Sequence, residues 1–241
     1  LRRAKQYPIE RAEALVSHIN QMKWDHLIIS GDLTQLSLEC EFSMAREKLE
    51  PLLKDPKRVT IIPGNHDRYI QERCGKDYYK QYFGEFFGDD EIHVRQIKSN
   101  WVIVGWDSTH PNDWITASGT VRRSTIVATE NLLKNFPEKS QFIIVNHYPL
   151  TFTNGWKVNS LHELYNFVPV REWILRHEKI RLYLHGHIHQ NWRHRLIRES
   201  EAELWLINSA SSTSKLHPGQ KSSFHRIDLL GEKVEIKPIL F

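Results

Sequence analysis

The chain has 241 residues, a formal net charge of +4 and a hydrophobic fraction of 40%. This length suits one large α/β domain, and we expect residues 1–241 to form a single domain. No run of about 18 apolar residues occurs, so the sequence predicts no transmembrane helix. Two cysteines, Cys40 and Cys74, are too few for a disulfide framework, which favours a reducing compartment such as the cytoplasm.

The positive charges are scattered along the chain, with short concentrations at Arg2-Arg3, Arg122-Arg123 and residues 193–195. A solvated protein surface accounts for most groups of this kind. Because no continuous basic stripe is present, we expect no nucleic-acid partner.

The first half of the chain alternates predicted helices and strands. Apolar residues recur at helical spacing over residues 9–19 and again over residues 38–52. Each helix pattern is followed by a short apolar run, Leu27–Ile29 in the first case and residues 59–62 in the second. This alternation predicts sheets that are covered by helices.

The second half continues with two buried strands, Trp101–Trp106 and residues 141–146, which flank a helix near residues 125–133. The next helix pattern covers residues 161–177, and we expect Pro169 to kink or split it. The C-terminal part is rich in strands, and the last two are predicted to form a hairpin. These strands cover residues 180–185, 193–197, 203–207, 224–229 and 233–239.

Side chains that can bind metals follow four of the predicted strands. Gly31-Asp32 ends the first run, Gly64-Asn65-His66-Asp67 follows the second, His147 ends a third, and Gly186-His187-Ile188-His189 follows the fourth. In open α/β sheets, the carboxyl ends of the strands are the edge where binding sites form. A mixed set of carboxylate, amide and imidazole ligands without thiolates suits a catalytic metal rather than a structural zinc.

The order of these blocks resembles the calcineurin-like metallophosphoesterase superfamily. The signature of that superfamily reads Asp-x-His, Gly-Asp-x-x-Asp, Gly-Asn-His-Asp/Glu, a lone His and Gly-His-x-His, and four of the five blocks are present here. The resemblance implies a four-layer α/β/β/α sandwich. It also implies a centre of two divalent metal ions, with Mn²⁺ first and Fe²⁺ or Zn²⁺ as alternatives.

The resemblance also implies a role for each matched residue. Asp32 would bridge the two metals, and His189 would belong to the first metal. The second metal would be completed by Asn65, His147 and His187. His66 would donate a proton to the leaving group, and Asp67 would orient its ring.

The chain departs from the signature at two places. Gln35 stands where the superfamily usually has Asp in the second block, and we expect altered hydrogen bonding beside the site rather than a lost metal. The Asp-x-His block is absent. We expect it just before Leu1, on an N-terminal segment that carries the first strand.

Candidate substrate contacts lie in three aromatic-rich stretches, at residues 69–87, 106–114 and 148–173. Such aromatics are more often ordinary packing than a ligand chamber, although together they could form an apolar wall. We expect residues 148–173 to form a lid that includes Trp156. The arginines expected near substrate phosphates are Arg122, Arg123 and Arg193.

The sequence therefore predicts a dinuclear hydrolase of phosphoric esters or anhydrides that acts on a phosphorylated small molecule or a lipid-linked nucleotide. The leading candidate is hydrolysis of UDP-2,3-diacylglucosamine in lipid A biosynthesis, which would involve peripheral association with the inner membrane. The alternative is a class III cyclic-nucleotide phosphodiesterase, because both groups share the block order. A third possibility is a non-catalytic scaffold of the same fold, which five retained ligands argue against.

Overall fold

The computed structural model describes residues 7–69, 75–88, 90–97, 100–111, 116–152, 160–214, 223–231 and 233–241. The described helices are α1 (Ile9–Gln21), α2 (Glu39–Leu49), α3 (Tyr78–Phe83), α4 (Arg123–Asn135) and α5 (Phe167–Arg176). The described strands are β1 (Leu27–Ile29), β2 (Val59–Ile61), β3 (Ile92–Gln96), β4 (Trp101–Trp106), β5 (Gln141–Val145), β6 (Ile180–His185), β7 (Trp192–Ile197), β8 (Glu203–Asn208), β9 (Ser223–Leu230) and β10 (Lys233–Leu240).

The main sheet has six strands in the order β3-β4-β5-β6-β8-β7. The four central strands are parallel, and the edge strands β3 and β7 run antiparallel to their neighbours. Every residue of β4 and β5 is buried, as expected for strands that are covered on both faces. A second strand layer consists of the parallel pair β1-β2 and the antiparallel hairpin β9-β10.

Two hydrophobic cores lie on opposite faces of the six-stranded sheet. Side chains alternate between the two faces of a strand, so Ile103 of β4 packs against β2 while Val104 packs on the other core. The second core includes Leu133 of α4 and Ile174 of α5. With α1 and α2 outside the second strand layer, the predicted four-layer α/β/β/α arrangement is confirmed.

The sequence prediction was wrong for the helix near Pro169. This helix begins at Phe167, and residues 160–162 form a separate turn of 3₁₀-helix. Pro169 therefore lies in the first turn, where a missing N–H breaks no helical hydrogen bond, and it causes no kink. In the described part of the chain, no helix is long and apolar enough to cross a membrane.

Two elements were not predicted from the sequence. Strand β3 is an edge strand that pairs with β4 alone. Its sequence is therefore partly polar, with His93, Arg95 and Gln96, and lacks the apolar run that identified the buried strands. Helix α3 has only six residues, which is too short for a clear helical period.

Arg198 is a buried cation that joins several elements of the second core. Its side chain is 7% exposed, and its guanidinium donates hydrogen bonds to five backbone carbonyls near the end of α5, the start of β6 and the start of β8. These carbonyls belong to Ile174, Leu175, His177, Ile180 and Glu203. The planar fork of an arginine suits several acceptors at once, which a lysine cannot match.

Replacement of this arginine should destabilise the fold. We expect Arg198→Leu to lower the free energy of unfolding by about 2–4 kcal/mol, because buried carbonyls lose a charged donor. Urea unfolding followed by circular dichroism measures the change. Arg195→Leu is the control, since Arg195 is exposed, with an ion pair to Glu203 and a contact with the Trp205 ring, and it should shift the free energy by about 0.5 kcal/mol or less. Equal effects of the two variants would contradict the structural role of Arg198.

Candidate metal centre

Four predicted ligands converge where the two strand layers end. Asp32 follows β1 and Asn65 follows β2, while His147 follows β5 and His187 follows β6. Strands β1 and β2 are parallel to each other, as are β5 and β6. The carboxyl ends within each layer therefore lie side by side, as expected from the sequence.

Four distances within this group of donor atoms match the spacing of ligands that share one metal ion. Oδ1 of Asn65 lies 3.1 Å from Nε2 of His147 and 3.1 Å from Nδ1 of His187. The two ring nitrogens are 3.3 Å apart, and Oδ2 of Asp32 is 3.4 Å from Nε2 of His147. Metal–ligand bonds of about 2.0–2.1 Å place tetrahedral ligand atoms roughly 3.3 Å from one another. The residues present therefore fit a divalent cation.

Backbone carbonyls determine which ring nitrogens face this centre. Nδ1 of His147 is 2.7 Å from the carbonyl oxygen of Ser30, and Nε2 of His187 is 2.7 Å from that of His162. A carbonyl oxygen only accepts hydrogen bonds, so those two nitrogens carry the protons. The opposite nitrogens then direct lone pairs at the oxygen of Asn65, and a cation satisfies all three atoms.

The amide of Asn65 is essential to this arrangement. Its Nδ2 donates a hydrogen bond to the Tyr69 hydroxyl at 3.0 Å, which turns Oδ1 towards the two imidazoles. Within the described residues, no group of three or more His, Cys, Asp or Glu side chains forms a metal site by itself. The Asn65 amide oxygen is thus a necessary member of the cluster, and its role as a metal ligand stays a prediction.

The protonation states of His187 and Asp32 suit metal ligands. Burial, followed by the nearby ring of His147, lowers the pKa of His187 to about 3, so this imidazole is neutral. Burial alone would raise the pKa of Asp32, but the interaction with His147 outweighs it and holds that pKa well below its usual range. For His147, burial acts to lower the pKa and Asp32 raises it, with a net increase. The centre thus contains an ionised carboxylate beside a neutral ring.

Backbone strain is concentrated at the predicted ligands. Asp32, His187 and His189 have φ values of 60°, 69° and 49°. Two other described non-glycine residues, Ser37 and Glu201, also have positive φ. A side chain rarely adopts this left-handed conformation, and such strain clusters at functional sites. Three of these five residues are predicted ligands, which supports a functional reason for the strained turns.

His189 lies beside this cluster. Burial lowers the pKa of His189, and the charges of Asp32, His147 and His66 also act on it. The ring is therefore within electrostatic reach of the carboxylate that is expected to bridge two metals. Its assignment to the first metal stays a prediction.

The Asp67 carboxylate was expected to orient the His66 ring, but its hydrogen bonds go elsewhere. Its carboxylate accepts hydrogen bonds from the backbone N–H groups of Asp32, Leu33, Thr34 and Gly64 and from the Thr34 hydroxyl. Burial, and next the charge of Asp32, raise the pKa of Asp67 to about 6. The carboxylate joins the turns after β1 and β2 and does not orient the His66 ring.

The ring of His66 is instead held by the main chain. Its Nδ1 lies 2.8 Å from the carbonyl oxygen of Gln35, and its backbone N–H donates to Oδ1 of Asp32 at 3.1 Å. Because Gln35 contacts His66 through its carbonyl, the Asp-to-Gln departure from the signature leaves this contact intact. Nε2 of His66 is therefore the ring nitrogen that could transfer a proton to a substrate.

Two glycines allow the turns to approach this closely. A Cβ on Gly31 would lie 2.5 Å from the backbone nitrogen of Gly64, and one on Gly64 would lie 2.2 Å from Oδ1 of Asp32. Gly31 also has a φ of 99°, which other residues rarely adopt. The Gly-Asp and Gly-Asn-His-Asp blocks thus require their glycines for backbone contact.

The predicted substrate residues lie apart from one another. Arg122 and Arg123 are exposed at the start of α4, which follows β4 and so begins at the site edge. Arg193 was expected near substrate phosphates, but its guanidinium donates to the carbonyl of Ile236 in β10. The structure therefore directs Arg193 towards the hairpin. Trp156 lies outside the described residues.

The aromatic stretches mainly form core, which corrects the expected apolar wall. Tyr79, Phe83 and Phe86 are at most 3% exposed and pack between the strand layers. Trp106 lies in the second core beside Trp173 of α5. Because these rings pack in the two cores, little of their surface is available to a ligand.

An ion-pair network that was not predicted from the sequence lies beside the site. Arg68 follows the Gly-Asn-His-Asp block and contacts Asp77 at 2.9 Å and Asp107 at 2.8 Å. Arg122 and these three residues line a cavity of about 250 Å³. Asp107 directly follows β4, so the strand-end rule that identified the ligands could also have found it.

Part of the predicted lid is tied to the metal centre. Residues 160–166, which we call the strap, contain His162, whose carbonyl contacts His187. Backbone hydrogen bonds join the strap to residues 117–119: Ala117 to Leu161 at 2.7 Å, Gly119 to Glu163 at 3.0 Å and Tyr165 to Gly119 at 2.9 Å. Residues 167–173 belong to α5 and pack in the second core. A lid function stays a prediction.

Two curated proteins are similar in sequence to this chain. The chain is 25% identical over 182 residues to a probable cyclic nucleotide phosphodiesterase of Synechococcus sp., which covers 75% of this chain and 64% of the relative. It is 22% identical over 197 residues to the 3',5'-cyclic adenosine monophosphate phosphodiesterase CpdA of Vibrio vulnificus, with coverages of 79% and 65%. The chain thus spans slightly less than two thirds of the length of these relatives.

Solved structures share the fold. A dimetal phosphatase from Danio rerio superposes with a TM-score of 0.68 at 13% identity, covering 95% of this chain and 85% of that one. A purple acid phosphatase from Lupinus luteus seeds gives a TM-score of 0.64 at 10% identity, covering 98% and 47%. The family model of calcineurin-like phosphoesterases matches residues 7–191. The chain therefore belongs to the calcineurin-like phosphoesterase family.

Proposed function

We propose that this protein is a metal-dependent hydrolase of phosphoric esters, with 3',5'-cyclic nucleotides as its substrate class. The observation that carries the proposal is the cluster of Asp32, Asn65, His147 and His187, whose facing atoms are 3.1–3.4 Å apart. All four atoms carry lone pairs that can be donated to a cation, and backbone carbonyls fix the tautomers of the two imidazoles. A divalent cation would satisfy the four lone pairs at once.

A pair of divalent ions supplies positive charge for an anionic phosphate and a nucleophilic water at neutral pH. Oxygen and nitrogen ligands without thiolate suit Mn²⁺, with Fe²⁺ and Zn²⁺ as alternatives. Asn65, His147 and His187 would hold one ion, Asp32 would serve both, and His189 would hold the other. The neutral imidazoles and the amide leave the centre electrophilic, because only Asp32 among these five residues adds negative charge.

His66 would act on the leaving group. The Gln35 carbonyl fixes its Nδ1, so the ring is held in one orientation with Nε2 as its other nitrogen. The ring of Tyr69 packs edge-to-face at 5.0 Å and restricts rotation. A positioned imidazole that is protonated at Nε2 can give that proton to the departing oxygen.

Two observations favour a cyclic nucleotide over UDP-2,3-diacylglucosamine. The relatives described above carry cyclic-nucleotide phosphodiesterase names. Two acyl chains would require an apolar chamber, each buried CH₂ group contributing about 0.8 kcal/mol. The aromatics between Tyr78 and Phe87 pack in or against the core instead. Lipid-linked substrates and association with a membrane surface therefore become the second candidate.

The first prediction concerns metal content. His187→Ala should lose about one metal equivalent per chain, because Nδ1 of His187 contributes a corner of the cluster. Elemental analysis after gel filtration measures this content. His194→Ala is the matched control, since His194 is an exposed histidine on β7, and it should retain the metal. Unchanged metal in His187→Ala would overturn the assignment.

The second prediction separates catalysis from metal binding at His66. His66→Asn should lower kcat by roughly 10²–10⁴, the usual contribution of a general acid. Its metal content should match that of the wild-type protein, because no predicted ligand is removed. Steady-state kinetics and elemental analysis on one preparation give both values, with His194→Asn as the control. Loss of metal in His66→Asn would show that this residue is a ligand.

The third prediction concerns the substrate. The metal-loaded protein should show a higher kcat/KM for 3',5'-cyclic AMP than for UDP-2,3-diacylglucosamine presented in detergent micelles. A small cyclic phosphodiester needs no acyl chamber. A greater kcat/KM for UDP-2,3-diacylglucosamine than for 3',5'-cyclic AMP would contradict the cyclic-nucleotide proposal and favour the lipid-linked substrate.

A further inference from the structure

The strap presents an exposed aromatic ring beside the metal centre. Tyr165 is 58% exposed, which makes it the most exposed Phe, Trp or Tyr side chain in the described part of residues 148–173. Its ring lies 6.2 Å from that of His110, with the planes at 77°. His110 belongs to the loop after β4, on the same sheet edge as the predicted ligands. An exposed aromatic with an edge-to-face neighbour is preorganised to stack on a flat ligand.

The chain geometry limits how far this ring is from the metal ligands. The carbonyl oxygen of His162 is 2.7 Å from Nε2 of His187, and Tyr165 is three residues further on. Three residues span at most about 10 Å of extended chain. A nucleoside attached to a phosphate covers a comparable distance, so a base can reach Tyr165 while its phosphate is at the metal centre.

Glu163 supplies an independent observation on the same strap. Its side chain is 6% exposed, and its Oε1 has no hydrogen-bond partner among the described residues. A buried acceptor without a partner costs about 1–3 kcal/mol, and more when it is charged. Burial also raises the pKa of this carboxyl group. A hydroxyl donor on a ligand would remove this cost.

We propose that the strap is the subsite for the nucleoside part of the substrate, in which Tyr165 stacks on the base and Oε1 of Glu163 accepts a hydrogen bond from the ribose 2'-hydroxyl. This inference rests on the proposed cyclic-nucleotide function. The order along the strap supports it. His162 contacts a metal ligand, Glu163 follows, and Tyr165 comes last, which matches the order of phosphate, ribose and base in a nucleotide.

The role of Tyr165 is tested by separating KM from kcat. Tyr165→Ala should raise KM for 3',5'-cyclic AMP about 5–100-fold with little change in kcat, since base stacking contributes about 1–3 kcal/mol. Tyr165→Phe should keep the wild-type KM, because the ring is retained. Val168→Ala is the control, as Val168 is another exposed apolar residue nearby, and its KM should not change.

The role of Glu163 is tested with a substrate that lacks the donor. Wild-type protein should prefer 3',5'-cyclic AMP over its 2'-deoxy analogue by about 10-fold or more in kcat/KM. Glu163→Ala should bring the ratio of the two kcat/KM values close to one. Glu163→Gln preserves the shape of the side chain and should lower the same ratio. Tyr165→Ala should leave the ratio unchanged. Metal content equal to wild type shows that the strap still supports His187 in each variant.

The results distinguish the subsite from the function on which it rests. Hydrolysis of bis(p-nitrophenyl) phosphate without any turnover of cyclic nucleotides would overturn the cyclic-nucleotide substrate and the subsite together. Turnover of cyclic AMP with unchanged KM in Tyr165→Ala and an unchanged 2'-deoxy ratio in both Glu163 variants would overturn the subsite alone.

Discussion

The hydrogen bonds to the Asp67 carboxylate are the constraint on which the metal centre depends. They join the turn that carries Asp32 to the turn that carries Asn65, although these turns follow different strands. Oriented N–H groups favour the ionised carboxylate, and burial makes each bond stronger than it would be in water. Without this anchor, the strained backbone of Asp32 would lack the surrounding contacts that hold it.

Orientation of the imidazole ligands depends on the main chain rather than on other side chains. Ser30 and His162 each place a carbonyl oxygen against one ring nitrogen, so the opposite nitrogen faces the centre. The first carbonyl belongs to the loop after β1, and the second belongs to the strap. The strap therefore links metal binding to substrate binding, because the same short segment supports His187 and presents Tyr165.

Core packing limits which residues can recognise a substrate. Six of the 13 described Phe, Trp and Tyr side chains in the three aromatic-rich stretches are buried, and four of the others pack against the two cores, where they contribute to stability. In the proposed subsite, specificity would come from two residues of the strap, the exposed Tyr165 and the buried Glu163. This division explains why aromatic content alone could not identify the ligand: a ring in the core and a ring in a binding site look the same in sequence.

The sequence by itself determined the family, the layered α/β architecture and the set of candidate ligands, because apolar periodicity defines strands and parallel strands place their ends at one edge. Only the tertiary structure decided that Asp67 joins two turns, that Gln35 orients His66 through its carbonyl, and that Arg193 bonds to the hairpin. It also revealed β3 as an edge strand. These features depend on contacts between residues far apart in the chain and on side-chain direction, which local patterns do not encode.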